Sequence, residues 1–176
     1  MTFREAVGTC LRKYATFSGR ARRAEYWWFV AFIILGSIVT GILDGAIFGA
    51  GGLRTATGPG SFGAQVESSG PLGLVFSLGI LIPAIAAGWR RMHDTGRSGL
   101  YLLYPLIAMS GIVTYASLFG LYTPSDSGPI PDFSGVLGAV LVVALIVLAF
   151  SPLLVIWWLT RPTQPGANRY GPEPAP

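Results

Sequence analysis

Arginines that flank long apolar segments are the residues of this chain best suited to chemistry. They fall in two groups, Arg20, Arg22 and Arg23 before the first apolar segment, and Arg90, Arg91 and Arg97 between the second and the third. A guanidinium group presents forked donors that suit a phosphate. A helix that starts beside such a group adds unpaired N–H groups, which also favour anions. The two groups therefore predict a lipid- or anion-binding site.

Acidic residues and a histidine accompany these arginines. Glu25 follows the first group, and His93 and Asp94 lie within the second. The two carboxylates are suited to pairing with the arginines. His93 beside Asp94 could move protons, but neighbouring residues in a turn need not face each other, and no nucleophile accompanies them. We therefore predict no catalytic residue, with a membrane enzyme acting on a lipid-linked phosphate as an alternative.

Metal and disulfide chemistry has few candidate residues in this sequence. The chain holds one cysteine, Cys10, and one histidine, His93. A single cysteine cannot form a disulfide within the chain, and a structural zinc site of the Cys and His type needs about four such ligands. We predict neither a metal site nor a cofactor.

Four long apolar segments must position these residues. Of the 176 residues, 52% are hydrophobic and only 11% are charged, whereas a soluble domain carries about 25% charged residues. Crossing the apolar core of a bilayer takes about 20 helical residues. The sequence therefore predicts a single all-α membrane domain over residues 1–176 with four transmembrane helices. The predicted spans are residues 26–48, 72–89, 99–122 and 135–159.

The segments outside the spans differ in character. Residues 3–17 place apolar side chains at helical spacing, which predicts a short amphipathic helix within residues 1–19. We predict that this helix is interfacial and lies on the membrane surface. A helix packed on protein is an alternative that the hydrophobic pattern supports equally. Residues 49–70 are rich in Gly and Ser, which predicts a flexible loop. The Pro- and Gly-rich tail, residues 160–176, is predicted to be irregular.

The basic residues also predict how the chain crosses the membrane. Of its twelve Lys and Arg, only Arg54 lies in the first or the third loop. Positive charge collects on the cytoplasmic side of membrane proteins, so both termini and the turn between spans two and three should be cytoplasmic. Orientation alone accounts for most of these charges, whether or not they bind a ligand. All five tryptophans fall at the same interface, where indole rings prefer to lie.

Asp44 is the only acidic residue within reach of a span. An ionisable residue inside a membrane suggests a function. However, about 27 Å of helix separates Asp44 from Tyr26, which predicts a solvated position near the outer interface. Ser37, Gly41 and Gly45 of the same span are spaced for close helix packing. A small oligomeric transporter or export component that uses Asp44 and this face is the first alternative, ahead of the membrane enzyme.

Three segments together resemble a known family. They are FSGRARRAEYWWF at residues 17–29, RRMHDTGRSG at residues 90–99 and GANRYGPEP at residues 166–174. In this order they are similar to the motifs of the domain-of-unknown-function 805 family, the YhaH-like small inner-membrane proteins of bacteria. The resemblance implies a bacterial inner-membrane location and about four spans, and it supplies no established activity.

All three motifs fall on the side predicted to be cytoplasmic. If they meet in space they form one site, in which Asn168 and Tyr170 fold back against Arg90, Arg91 and Asp94. We predict a non-enzymatic integral inner-membrane protein whose Arg-rich cytoplasmic face binds anionic lipid headgroups or a partner protein. Assembly into a homo-oligomer or with a partner membrane protein stays open. No nucleic-acid partner is expected, since no recognition helix or aromatic-studded sheet accompanies the basic residues.

Overall fold

A computed structural model shows an α-helical protein with four helices that are long and apolar enough to cross a membrane. It describes residues 1–49, 54–55, 64–65, 70–123, 130–131 and 133–174. The helices are α1 (Phe3–Arg12), α2 (Arg23–Phe48), α3 (Pro71–Asp94), α4 (Tyr104–Leu118) and α5 (Gly135–Thr160), and a 3₁₀ helix at Gly99–Leu103 leads directly into α4. The predicted all-α class, with four spans after a short N-terminal helix, is confirmed.

Two pairs of very short antiparallel strands connect the long helices. They are β1 (Arg54–Thr55) with β2 (Ala64–Gln65), and β3 (Tyr122–Thr123) with β4 (Ile130–Pro131). Apart from Gly49, Gly70 and the strands β1 and β2, the loop predicted to be flexible lies outside the described residues.

A capping box starts α1. The Thr2 hydroxyl accepts a hydrogen bond from the Glu5 N–H (3.4 Å), and the Glu5 carboxylate accepts one from the Thr2 N–H (2.8 Å). Both bonds satisfy N–H groups at a helix start, and the bond from the Thr2 N–H holds the pKa of Glu5 below its usual value. α1 stops at Arg12, earlier than its amphipathic pattern predicts. The chain then turns, so that the Ala21 N–H donates to the Arg90 carbonyl oxygen (3.0 Å).

α1 packs on the rest of the protein. Its Cys10 is buried in an apolar cluster with Phe29 of α2 and Ala87 of α3. The ring of Phe3 meets the Trp28 ring edge-on, with 5.9 Å between the ring centroids. α1 is therefore held against α2 and α3, and a position on the membrane surface stays a prediction.

The four long helices form two pairs, because α2 packs along α3 and α4 packs along α5. Ala116 and Leu121 pack with Leu141 inside the second pair. Met92, near the end of α3, packs with Leu159, near the end of α5, and so joins the two pairs. We call this end of the bundle the basic end; it comprises residues 1–23, 90–99 and 160–174.

Many apolar side chains of the long helices face outward. Val75 of α3 is 70% exposed and Val143 of α5 is 61% exposed. Lipid chains suit such surfaces, so helix association in a bilayer depends on close packing and polar contacts rather than on hydrophobic burial. α2 and α3 approach closely at Gly36, where an added Cβ would lie 2.2 Å from the Phe76 ring.

The prediction that Asp44 is solvated was wrong. Asp44 is only 5% exposed, and its carboxylate accepts hydrogen bonds from the N–H groups of Leu72 (3.0 Å) and Gly73 (2.7 Å). These groups lie in the first turn of α3, which has no side-chain cap from its own N-cap residue, Gly70. A carboxylate satisfies the unpaired N–H groups and the positive partial charge of a helix start. Asp44 therefore joins the end of α2 to the start of α3.

A proline inside α3 is compensated by a residue from outside the helix. Pro83 has no N–H, so it cannot make the helical hydrogen bond to the carbonyl oxygen of Gly79. The Tyr14 hydroxyl donates to that oxygen instead (2.6 Å). This contact ties the segment after α1 to the middle of the second span.

Candidate functional site

The three motifs found in the sequence meet at the basic end of the bundle. Their charged side chains form a buried group that we call the charge cluster, which comprises Arg20, Glu25, Arg90, Arg91 and Asp94. All five are buried. The tail, residues 161–174, runs across this cluster and contacts residues of the other two motifs. The three motifs are therefore in contact with one another.

Asp94 is the centre of the charge cluster. Its carboxylate accepts hydrogen bonds from Arg20 Nε (3.0 Å), from Arg91 Nη1 and from the Thr163 hydroxyl (2.8 Å). Its backbone carbonyl oxygen accepts the Gln164 N–H (3.0 Å). One residue at the end of α3 thus connects the first motif to the tail. Because two arginines share this carboxylate, the pairing compensates charges that would be costly to bury alone.

A second buried pair lies beside the first. Arg90 Nη1 donates to Glu25 Oε1 (2.6 Å). The Cys10 thiol lies 3.7 Å from the same oxygen and 4.0 Å from Arg90 Nη2. Burial, together with the negative charge of Glu25, raises the pKa of Cys10 to about 11, so the thiol is neutral near pH 7. Among the described residues, the Nε atom of Arg90 is the buried side-chain nitrogen left without a protein partner.

Backbone carbonyl groups occupy much of the remaining donor capacity of the buried arginines. Arg20 donates through Nη1 to Gly166 (2.6 Å) and through Nη2 to Gln164. Arg91 donates through Nε to Leu159 (3.0 Å) and through Nη2 to Arg161. These acceptors all lie at the end of α5 or in the tail. The arginines therefore hold the tail in place, and a ligand would have to displace protein groups to reach them.

The tail is irregular but well tied to the end of α3. Asn168 and Gly171 exchange two backbone hydrogen bonds of 3.0 Å in a tight turn. Within this turn, the Tyr170 ring stacks on the His93 ring, with centroids 3.8 Å apart and planes 4° apart. Asn168 Nδ2 donates to the His93 carbonyl oxygen (3.0 Å). Asn168 and Tyr170 thus fold back as predicted, but on His93 rather than on Arg90, Arg91 or Asp94.

His93 and Asp94 have different partners. His93 Nδ1 lies 3.0 Å from the Gly19 carbonyl oxygen, which can only accept, so Nδ1 carries the proton. The oxygens of the Asp94 side chain bind arginines and Thr163. This arrangement gives no support to an acid–base pair formed by His93 and Asp94.

The other three predicted arginines lie closer to the surface. Arg22 is half-buried and donates to the Pro174 carbonyl oxygen through Nε (3.2 Å) and Nη2 (2.7 Å). Arg23 is exposed at the start of α2. The Arg97 guanidinium lies over the Trp158 ring, 5.2 Å from its centroid, where a cation is attracted by the aromatic face.

A cavity of about 710 Å³ opens between α1, the segment before α2 and the end of the tail. We call it the α1–tail cavity. It is lined by Met1, Glu5, Thr9, Arg12, Lys13, Gly19, Arg20, Arg22, Glu25, Gly171, Pro172, Glu173 and Pro174. A smaller cavity of about 340 Å³ lies on the other side of Arg22, with Arg23 in its wall. The basic residues nearer the surface, among them Arg12, Lys13 and Arg22, therefore line cavities. Arg90 and Arg91, in contrast, are buried among protein groups.

Sequence reasoning missed four residues of this site. Arg12 and Lys13 lie in the segment predicted to be an amphipathic helix, and nothing in the sequence indicated that the tail would close a cavity against them. Thr163 and Gln164 precede the third motif, so the resemblance did not include them. No sequence signal marked Thr163 or Gln164, because their contacts with Asp94 arise only when the tail folds back.

Metal binding finds no support in the part of the chain that the structure describes. No three His, Cys, Asp or Glu side chains there lie close enough together to hold an ion.

Comparison with known proteins gives a family match over most of the chain. The family model described as "Protein of unknown function (DUF805)" matches residues 14–172. Inner membrane protein YhaH of Escherichia coli K12 is 32% identical over 124 residues, which cover 69% of this chain and 91% of YhaH. Inner membrane protein YhaI of the same strain is 34% identical over 101 residues, or 57% of this chain and 70% of YhaI. No solved structure gives a significant match.

Proposed function

This chain belongs to the DUF805 family, and we propose that it is a non-enzymatic inner-membrane protein whose basic end binds anionic phospholipid headgroups in the α1–tail cavity. Its membrane character agrees with the inner-membrane relatives and with the four apolar helices. The observation that carries the proposal is a cavity bordered by accessible basic side chains beside a belt of exposed aromatic residues.

The basic end faces the cytoplasm in this proposal. Eleven of the twelve Lys and Arg lie in the basic end, and the exception is Arg54. Such a bias sets the orientation of short-loop membrane proteins. The cytoplasmic leaflet carries anionic lipid that attracts basic residues, so a binding site for acidic headgroups would be well placed on this side.

The charge balance of the α1–tail cavity favours an anion. Arg20 and Glu25 are already paired with Asp94 and Arg90 inside the charge cluster. The basic side chains that remain in the wall are Arg12, Lys13 and Arg22, and the acidic ones are Glu5 and Glu173. Glu5 also accepts the Thr2 N–H in the capping box. The wall therefore keeps more positive than negative charge.

The surroundings of the cavity suit a lipid rather than a soluble anion. The exposed apolar side chains at this end of the bundle include Leu11 and three aromatic residues, Phe17, Trp27 and Trp28. Aromatic residues of this kind lie at the headgroup level of a bilayer. A phospholipid could place its phosphate in the cavity while its acyl chains follow the exposed apolar faces of the helices.

The test is native mass spectrometry of delipidated protein titrated with dioleoyl phosphatidylglycerol or dioleoyl phosphatidylcholine. We expect tighter binding of phosphatidylglycerol. The variant Arg12→Gln with Lys13→Gln should lose about tenfold in that affinity or more, since each basic residue near an anionic lipid surface contributes about 1 kcal/mol.

The matched control removes two charges from the same end of the protein but outside the cavity. Arg4 and Arg161 are exposed and do not line it. The variant Arg4→Gln with Arg161→Gln should retain the phosphatidylglycerol affinity within about twofold, because it leaves the cavity wall unchanged. Equal losses in both double variants, or equal affinity for the two lipids, would contradict the proposal.

A further inference from the structure

The last residues of the tail form a wall that the two cavities at the basic end share. Arg22, Glu173 and Pro174 line both the larger and the smaller cavity. Arg22 reaches across to the Pro174 carbonyl oxygen with two of its nitrogens. The two cavities are thus parts of one groove that this contact divides.

The tail is held unequally along its length. Up to Tyr170 it is tied to buried groups, through Thr163 and Gln164 on Asp94 and through the ring stacked on His93. Beyond Gly171 its hydrogen-bond partners in the described chain are not buried, because Arg22 is half-buried and Gly166 is exposed. The end of the tail can therefore move while the part before it stays fixed.

The contacts of this end resemble those that an anionic headgroup would make. Arg22 binds a neutral carbonyl oxygen, although a guanidinium forms stronger, forked hydrogen bonds with a phosphate. Glu173 lines both cavities. Within the described chain, the hydrogen bond that its carboxylate accepts comes from the Gly166 N–H (2.7 Å). A phosphate in the groove would repel this carboxylate and offer Arg22 a better partner.

We propose that residues 172–174 are a strap that competes with an anionic headgroup for Arg22 and is released when the headgroup binds. This inference rests on the proposed function, and it adds regulation to the same site. With no ligand, the strap closes the groove and Pro174 satisfies Arg22. With a phosphate-bearing ligand bound, Arg22 exchanges the carbonyl for the phosphate and the two cavities join.

The experiment places a nitroxide spin label on the strap and measures its mobility by electron paramagnetic resonance. Cys10→Ser removes the native thiol, and Pro174→Cys provides the labelling site while leaving the backbone carbonyl that Arg22 binds. Ala167→Cys, in the exposed part of the fixed tail segment, is the matched control. The reconstituted full-length protein receives dioleoyl phosphatidylglycerol, dioleoyl phosphatidylcholine or inorganic phosphate.

Phosphatidylglycerol should mobilise the label at position 174 and leave the label at position 167 unchanged. Phosphatidylcholine should change neither label. Removing the competing carboxylate with Glu173→Gln should raise the phosphatidylglycerol affinity severalfold in the mass-spectrometric titration.

The possible failures separate the two proposals. If phosphatidylglycerol binds the cavity with the affinity pattern described above but the label at position 174 stays immobile, the strap is wrong and the lipid site stands. If phosphatidylglycerol does not bind and inorganic phosphate does not mobilise the label at position 174, both proposals are wrong. Release by inorganic phosphate alone would support the strap and contradict a lipid as its ligand.

Discussion

The two ends of the helix bundle are held together by different kinds of contact. At the basic end, a buried charge cluster joins α2, α3 and the tail through paired carboxylates and carbonyl groups. At the opposite end, the described residues include one buried carboxylate, Asp44, which caps the start of α3. The comparison suggests that the basic end fixes one specific arrangement of the chain, whereas the opposite end supports a helix start.

The apolar surroundings of a helix bundle in a bilayer explain why such polar contacts matter. Apolar side chains gain little from leaving lipid for another apolar surface, so they discriminate poorly between alternative helix arrangements. Buried ion pairs discriminate strongly, because any other arrangement leaves a charge without a partner. We therefore expect unequal costs for changes at the two ends.

The largest effect should follow from Asp94→Asn. This change keeps the shape of the side chain but leaves Arg20 and Arg91 buried without their carboxylate. Removal of one partner from a buried pair costs about 3–5 kcal/mol. Unfolding by sodium dodecyl sulfate in mixed micelles, followed by tryptophan fluorescence, measures the loss. A cost below about 1 kcal/mol would show that the charge cluster does not stabilise the basic end.

A smaller effect is expected at the opposite end from Asp44→Ala. The N–H groups of Leu72 and Gly73 lose their acceptor, and loss of a helix cap costs about 0.5–2 kcal/mol. Asp44→Asn keeps an acceptor oxygen and should cost less in the same unfolding assay. If Asp44→Ala destabilised the protein as much as Asp94→Asn, the contrast between the two ends would be lost.

Tyr14→Phe tests a contact that lies between the two ends. It removes the donor to the Gly79 carbonyl oxygen, and a hydrogen bond of this kind contributes about 0.5–1.5 kcal/mol. The cost should vanish in a Pro83→Ala background, where the residue at position 83 regains the N–H that bonds to Gly79. The same cost in both backgrounds would mean that Tyr14 acts in some other way.

The reactivity of Cys10 gives the smallest and most local test of the basic end. With a pKa of about 11, its thiolate fraction at pH 8 is roughly a hundredfold lower than that of an ordinary thiol. Iodoacetamide should therefore label the folded protein slowly at pH 8 and the unfolded chain rapidly. Because the folded-state pKa is raised, ionisation of the unfolded thiol should lower stability as the pH rises from about 9 towards 11. Rapid labelling of the folded protein would contradict the burial of Cys10.

The sequence predicted the fold more completely than the site. Long apolar segments and sparse charge were enough to predict four spans, because a bilayer demands that length and composition. Asp44 was misjudged because its distance along α2 was considered alone. Its burial depends on the start of α3, which follows a long loop.

The site could be predicted in position but not in its contacts. Charge and the family resemblance indicated the motifs that contain Arg20, Asp94 and Tyr170. Several of the hydrogen bonds, however, join residues between 68 and 146 positions apart, and many acceptors are backbone carbonyls that carry no sequence signal. Sequence alone also gave no reason for Arg90 and Arg91 to be buried rather than available to a ligand.

The most direct test of the central claim is a double-mutant cycle on Arg20 and Asp94, which tie the first motif to the second. The variants Arg20→Gln, Asp94→Asn and their combination are compared by unfolding in mixed micelles. Direct contact in a buried network predicts a coupling energy of about 1–3 kcal/mol. Additive losses, within about 0.5 kcal/mol, would contradict the convergence of the motifs in one charge cluster.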